Sequence, residues 1–144
     1  MKISVGFTGT RKGMSERQKK KLVEIFKSIR EFGDEIIFHH GDCDGADCEA
    51  DAIARKFDAE IHIHPPSNPK NRAFCYQEGD TRYPEKPYLV RDRDIVDAAN
   101  IMLAAPKDHT REEFRGSGTW ASYRYAKARR HNYGSPEALH LLER

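Results

Sequence analysis

Short apolar runs alternate with amphipathic stretches along this chain. ISVGFTG, residues 3–9, ends in glycine and predicts a buried strand. Ser15 follows as a helix N-cap, and Gln18 stands three residues on, the spacing of a capping box. Leu22, Ile25, Phe26 and Ile29 recur at helical spacing with lysines between them, so residues 16–32 predict an amphipathic helix. EIIFHH, residues 35–40, predicts a second strand and is followed by GDCDGAD, a turn rich in Gly and Asp. Alanine and isoleucine fall at helical positions from Ala46 to Phe57, and EIHIH, residues 60–64, alternates as a third strand does. Tyr88 to Ala99 predicts a helix with Leu89, Val90, Ile95 and Val96 turned inward. NIMLAAP, residues 100–106, predicts a fourth strand stopped by proline. Thr119 to Arg130 predicts the last helix, and ALHLL, residues 138–142, a fifth strand after Gly134 and Pro136.

The stretch from Pro65 to Pro87 has no period and carries Arg72, Phe74, Tyr76, Arg82 and Tyr83 among its prolines. Loops this long are uncommon inside compact domains and are usually functional or disordered. The residues alone leave a lid over a base, an oligomer contact and a mobile segment open.

Strands that alternate with helices imply parallel strands joined by right-handed crossovers. The expected fold is α/β, a Rossmann-like three-layer sandwich with a mainly parallel sheet of about five strands flanked by helices. Its 144 residues suit a single domain, residues 1–144. Such sheets bind ligands at the carboxyl ends of their strands. Three loops should therefore meet there: TGTRKGMS, GDCDGAD and the loop that ends in RGSGT. Each is glycine-rich and leads into a helix. Glycine lets backbone N–H groups approach a ligand, and helix starts carry free N–H donors and about half a positive charge. With Arg11 and Arg115 beside them, these loops predict a phosphate pocket. Neither GxGxxG nor the P-loop GK[ST] is present, so the layout differs from both familiar phosphate motifs.

Composition changes this picture little. The 25 Lys and Arg against 23 Asp and Glu leave a net charge of +2, so a basic partner surface has to be local. Cys43, Cys48 and Cys75 are odd in number and form no CxxC, which implies a reduced, cytoplasmic protein without structural disulfides. No signal peptide is expected, and no apolar run approaches the roughly 18 residues of a membrane helix. His39, His40, His62 and His64 lie near the cysteines, but at no familiar ligand spacing, so no metal or other cofactor is expected.

GFTGTR, HGDCDGAD, RDRDIVDAANIMLAAP and RGSGTWASYRYA occur in this order. The ordered set resembles the SLOG superfamily, the Rossmann-like group that contains the DNA-processing protein A domain and the "lonely guy" phosphoribohydrolases. The match spans about residues 3–130. It implies a nucleotide-derived ligand, phosphate at the last glycine loop and a homo-oligomer. By this resemblance Gly9, Thr10 and Arg11 match the first ligand loop, and Gly41, Gly45, Ala46 and Asp47 the second. Arg91 and Arg93 match an Arg-x-Arg segment that lines the pocket, and Gly116, Ser117, Gly118 and Thr119 match the phosphate loop. There is one departure. The phosphoribohydrolases carry Glu three residues after the loop threonine, where this chain has Ser122. Glu112, Glu113, Asp42 and Asp47 are the carboxylates that could replace it.

Several residues admit a plainer role. Asp42, Asp44 and Asp47 suit caps of the second helix, or contacts to ribose or Mg²⁺; capping is expected of at least one, and ribose contact of Asp47. Asp42 therefore joins the candidate ligand set. Arg91 and Arg93 form either a solvated charge cluster or a planar fork on phosphate. Trp120 is expected to pack the last helix rather than stack on a base. Arg124, Lys127, Arg129 and Arg130 make either a solvated face or a strip for single-stranded DNA. The sequence thus reads as a binder of a nucleotide-derived phosphate ligand, acting as sensor, sequestering or salvage protein. If it is an enzyme, it would hydrolyse an N-glycosidic bond. The alternative is a single-stranded DNA-binding protein.

Overall fold

The computed structural model describes residues 1–129 and 138–144. The chain runs β1 (Lys2–Gly9), α1 (Glu16–Glu31), β2 (Glu35–His40), α2 (Ala46–Lys56), β3 (Glu60–Ile63), β4 (Thr81–Arg82), α3 (Tyr88–Ala98), β5 (Ile101–Ala105), α4 (Gly118–Ala128) and β6 (Leu139–Leu141). One sheet takes the order β4-β3-β2-β1-β5-β6, and every pairing is parallel. The sandwich expected from the alternation is present, with six strands instead of about five. The added strand, β4, lies inside the aperiodic stretch 65–87. Two residues are too few to print a pattern.

Alternation along the strands divides the core. Val5 and Phe7 of β1, Ile36 and Phe38 of β2 and Ile61 and Ile63 of β3 pack with Leu22, Phe26, Ala50 and Ala54 of α1 and α2. Phe26 meets Phe38 edge-on at 5.4 Å between centroids. On the other face Met102 of β5 packs with Ile95, Val96 and Ala99 at the end of α3 and with Ala126 of α4. Helix α1 begins with the expected capping box of Ser15 and Gln18.

Two expectations are corrected. Leu89 and Val90 do not face in; they are 49% and 48% exposed. The start of α3 lies beside the strand ends, and its buried positions hold Arg91 and Asp92, which bond to each other while Arg91 also donates to the carbonyls of Gly41 and His64. Helix α2 has no side-chain cap, so none of Asp42, Asp44 and Asp47 caps it. Its N-cap is Gly45 at φ +85, where a Cβ would collide with the Arg11 carbonyl. The Ala46 N–H donates to Thr10 O at 3.0 Å, so the neighbouring loop satisfies the helix start. Helix α4 ends at Ala128; Arg130, Gly134 and Pro136 lie outside the described residues.

Candidate functional site

A cavity of about 460 Å³ opens over the carboxyl end of β1. It sits where the strand order reverses, with β2 on one side of β1 and β5 on the other. Gly9, Thr10 and Arg11 form its floor and rim after β1; Gly41 and Asp47 come from the β2–α2 turn; Gly116, Ser117, Gly118 and Thr119 come from the start of α4. Arg91 reaches it from α3. Gly45 and Ala46 stand just behind, packed against the first loop by the Ala46–Thr10 bond.

Two predicted residues lie elsewhere. Asp42 is fully buried at φ +58. Its Oδ2 accepts from Arg72 Nε at 2.8 Å and its Oδ1 from the Cys75 N–H at 2.8 Å. Asp42 therefore fastens the long loop. Arg93 is exposed, and its guanidinium lies over the Tyr125 ring at 5.3 Å. An i, i+2 pair on a helix points to different faces, which separates Arg91 from Arg93.

Arg91 is mostly a fastener too. Its Nε donates to Asp92, and its Nη1 to the carbonyls of Gly41 and His64, the latter at 3.2 Å. Its Nη2 donates to Cys43 Sγ at 3.3 Å, which leaves one Nη2 hydrogen without an acceptor among the described residues. Burial opposes its charge, but Asp92, Cys43 and Asp47 together hold its pKa above the usual value. Burial pushes the Asp92 and Cys43 groups up, against the pull of Arg91.

The two helix starts that face each other across β1 differ in charge. Helix α2 carries Asp47 and Glu49 in its first turn, so its positive end is already balanced. Helix α4 has no acid in its first turn. Ser117 caps it by accepting from the Trp120 N–H at 3.2 Å. The N–H groups of Gly118 and Thr119 have no acceptor among the described residues, and both residues line the cavity. Arg11, Lys12 and Lys70 on the rim make no ion pair among the described residues. Lys107 pairs with Glu113 at 3.5 Å.

Asp47 is the exception among the acids. Its Oδ2 accepts from the Cys43 N–H at 3.2 Å, but its buried Oδ1 has no partner among the described residues. Burial, ahead of the opposing pull of His40 and Arg91, pushes its carboxyl up to about 6.

The long loop also contributes residues that the sequence reading passed over. Pro66, Asn68, Lys70 and Asn71 line the cavity, whereas Arg72, Tyr76, Arg82 and Tyr83 do not. Arg72 is held by Asp42 and Glu85, Arg82 lies over Tyr76 at 4.8 Å, and Tyr83 stacks on His64 at 4.2 Å. The signal was available in the topology: the loop after β3 leaves the same edge as the three glycine-rich loops. Tyr88, Asp92 and Lys107 are further lining residues that the sequence reading did not single out.

Three features lie apart from the cavity. His40, Asp51 and Cys75 bring potential metal ligands within 4.8 Å of one another. His40 Nδ1 accepts from the Asp42 N–H at 3.0 Å, so its Nε2–H donates to Asp51 Oδ2 at 2.8 Å. Arg55 holds the same carboxylate at 2.8 Å, which makes the cluster a hydrogen-bonded junction. Trp120 is buried and packs edge-on against Tyr123. On the basic helix, Arg124 pairs with Glu112 and Arg129 with Asp97, so part of that strip is locally balanced.

No protein-family model and no curated protein sequence matches the chain. Solved structures do. The molybdenum cofactor binding protein of Rippkaea orientalis aligns with a TM-score of 0.66 at 17% identity, over 98% of this chain and 76% of that one. DNA processing protein A of Helicobacter pylori, described with a single-stranded DNA binding mode, aligns with a TM-score of 0.63 at 20% identity, over 96% of this chain and 64% of that one. DNA processing protein A of Streptococcus pneumoniae aligns with a TM-score of 0.60 at 15% identity, over 96% of this chain and half of the other. These likenesses establish the fold, a Rossmann-like α/β domain shared with those structures. Among the described residues no helix is long and apolar enough to cross a membrane.

Proposed function

We propose that this protein binds a nucleotide or nucleotide-derived phosphate ligand in the cavity over β1, as a sensor, sequestering or salvage protein. One observation carries the reading. The acid-free start of α4 aims two unpartnered N–H groups into a cavity rimmed by Arg11, Lys12 and Lys70. Phosphate is the anion that uses such a seat best, with backbone donors for its oxygens and mobile cations for its remaining charge. The acid-bearing start of α2 repels phosphate, so the ligand has one orientation: phosphate toward α4, uncharged part toward Asp47. If base release follows binding, Asp47, Asp92 and Glu113 are the carboxylates that reach the cavity. Ser122, at the position of the phosphoribohydrolase Glu, is buried and does not line it.

A thermal-shift screen tests the reading, with nucleoside mono- and diphosphates, ADP-ribose, cyclic nucleotides and short oligonucleotides at two salt concentrations. A ligand at about one hundred times its dissociation constant adds roughly 2.7 kcal/mol, which raises Tm by about 5–10 °C in a domain of this size. Gly118→Asp is expected to abolish the shift by placing a carboxylate at the phosphate seat. Gly118→Ala serves as control, because a Cβ there meets only Tyr88 and Asp92 at 3.4 Å and 3.5 Å. A normal shift in Gly118→Asp would overturn the assignment. A response to oligonucleotides alone, lost at the higher salt, would move the function to single-stranded DNA.

A further inference from the structure

We infer that the anion seat at the start of α4 binds an oxyanion only together with a proton, which Asp92 Oδ2 and the anion share, so that phosphate is accepted and sulfate is refused. The inference rests on the phosphate reading above and adds a selectivity that backbone donors alone do not give.

Asp92 stands on α3, so the acid-free first turn of α4 still has a carboxylate beside it. The residue is 8% exposed and lines the cavity. Its Oδ1 accepts from Arg91 Nε. Its Oδ2 accepts no hydrogen bond among the described residues and, unlike Asp47 Oδ1, is not sealed from the cavity. A Cβ on Gly118 would stand 3.5 Å from that oxygen, so Oδ2 borders the seat itself. No neighbouring donor reaches it. Arg91 turns its other bonded donors to Gly41, His64 and Cys43. The Ser122 hydroxyl of α4 is close enough to draw the Asp92 pKa down, but it makes no hydrogen bond of ordinary geometry.

An oxyanion on the Gly118 and Thr119 N–H groups therefore meets a carboxylate oxygen. Two bare anionic oxygens repel strongly where water is excluded. A proton between them turns the repulsion into a short, charge-assisted O–H···O bond. Hydrogen phosphate brings that proton. A phosphomonoester acquires it near neutrality, since its second pKa is about 6. Sulfate and phosphodiesters have none to bring. The seat thus fits a terminal phosphate and disfavours a nucleic-acid backbone.

Small probes isolate this contact. Inorganic phosphate, methyl phosphate and sulfate would be titrated calorimetrically into the wild-type chain at pH 8, in two buffers that differ in ionisation heat. Phosphate and sulfate are then both mainly dianions of similar size, and they differ in the proton. Phosphate is expected to bind about tenfold or more tightly than sulfate. Methyl phosphate, which is bare at this pH, should take up about one proton as it binds, and inorganic phosphate almost none. In Asp92→Asn, checked for native fold by circular dichroism, sulfate should come within about threefold of phosphate. Should that variant not fold, the proton count in the wild type still decides. Equal affinities for phosphate and sulfate in the wild type would overturn the inference and leave the anion seat standing. So would discrimination that survives in Asp92→Asn, and so would methyl phosphate that fails to bind or binds without proton uptake. If none of the three probes binds, the phosphate reading fails and this inference with it.

Discussion

Asp47 is a buried carboxylate that the fold holds at a cost to stability. Its folded pKa of about 6 stands above the model-peptide value of 3.8. The native state therefore holds the Asp47 proton more tightly than the unfolded chain does. That favourable contribution is complete below about pH 4 and disappears as pH rises toward 6; at neutral pH the buried charge is a net cost. Asp47→Asn keeps an oxygen for the Cys43 N–H and removes the charge. It is expected to raise stability at pH 7 by on the order of 2 kcal/mol and to change little at pH 4. Urea denaturation at the two pH values checks this; a loss of stability at pH 7 would mean that the carboxylate is paired in solution. The position of Asp47 beside the strand ends was legible, because the glycine-rich turn that carries it follows a strand and opens a helix. The different placement of Asp42 has a physical origin as well. Two aspartates five residues apart in one turn look alike in sequence, and only the positive φ at Asp42 turns its carboxylate away from the cavity and under the loop.

The long loop between β3 and α3 is the element whose role the chain pattern left open. Its base is fixed by one buried carboxylate. Asp42 holds Arg72 and the Cys75 N–H, while backbone bonds join Ala73 N to Asp42 O and Asp44 N to Asn71 O at 2.8 Å each. This pinned base presents Asn68, Lys70 and Asn71 to the cavity as a wall. Asp42→Ala removes one partner of a buried ion pair and is expected to cost about 3 kcal/mol or more. Hydrogen exchange at the amides of Ala73 and Cys75 should accelerate far more than exchange in β1. Uniform acceleration would show that the loop and the sheet open as one unit. The helices and longer strands were readable because each has to bury one face, and that need repeats at the period of its backbone. The loop is held by single polar bonds between distant residues, which leave no period. The same reason explains Leu89 and Val90: apolar spacing marks a helix but does not say where the sheet beneath it ends.

Across the whole molecule, acid sensitivity should come from two buried imidazoles at the ends of β2 and β3. His39 Nδ1 and His64 Nε2 lie 2.9 Å apart. Burial above all, with the charges of neighbouring histidines, holds His39 down at about 4 and His64 at about 3. Both folded values lie below the unfolded value of 6.5. As pH falls below 6.5 the unfolded chain takes up protons first, so stability is lost from there down to the folded values. Each group contributes a slope of up to about 1.4 kcal/mol per pH unit in that window. His64→Gln should flatten the decline between pH 6.5 and 4 in chemical denaturation; an unchanged slope would place the acid sensitivity elsewhere. Alternating strand and helix patterns determined the α/β class, the parallel sheet and the edge on which the glycine-rich loops gather, because those follow from local periodicity and chain connectivity. They also marked the glycine starts of α2 and α4. The partition of charge between those starts, the fastening of Arg91 beneath the cavity and the wall from the long loop arose only on folding. They depend on which distant polar groups find each other once water is excluded, and that pairing has no periodic trace along the chain.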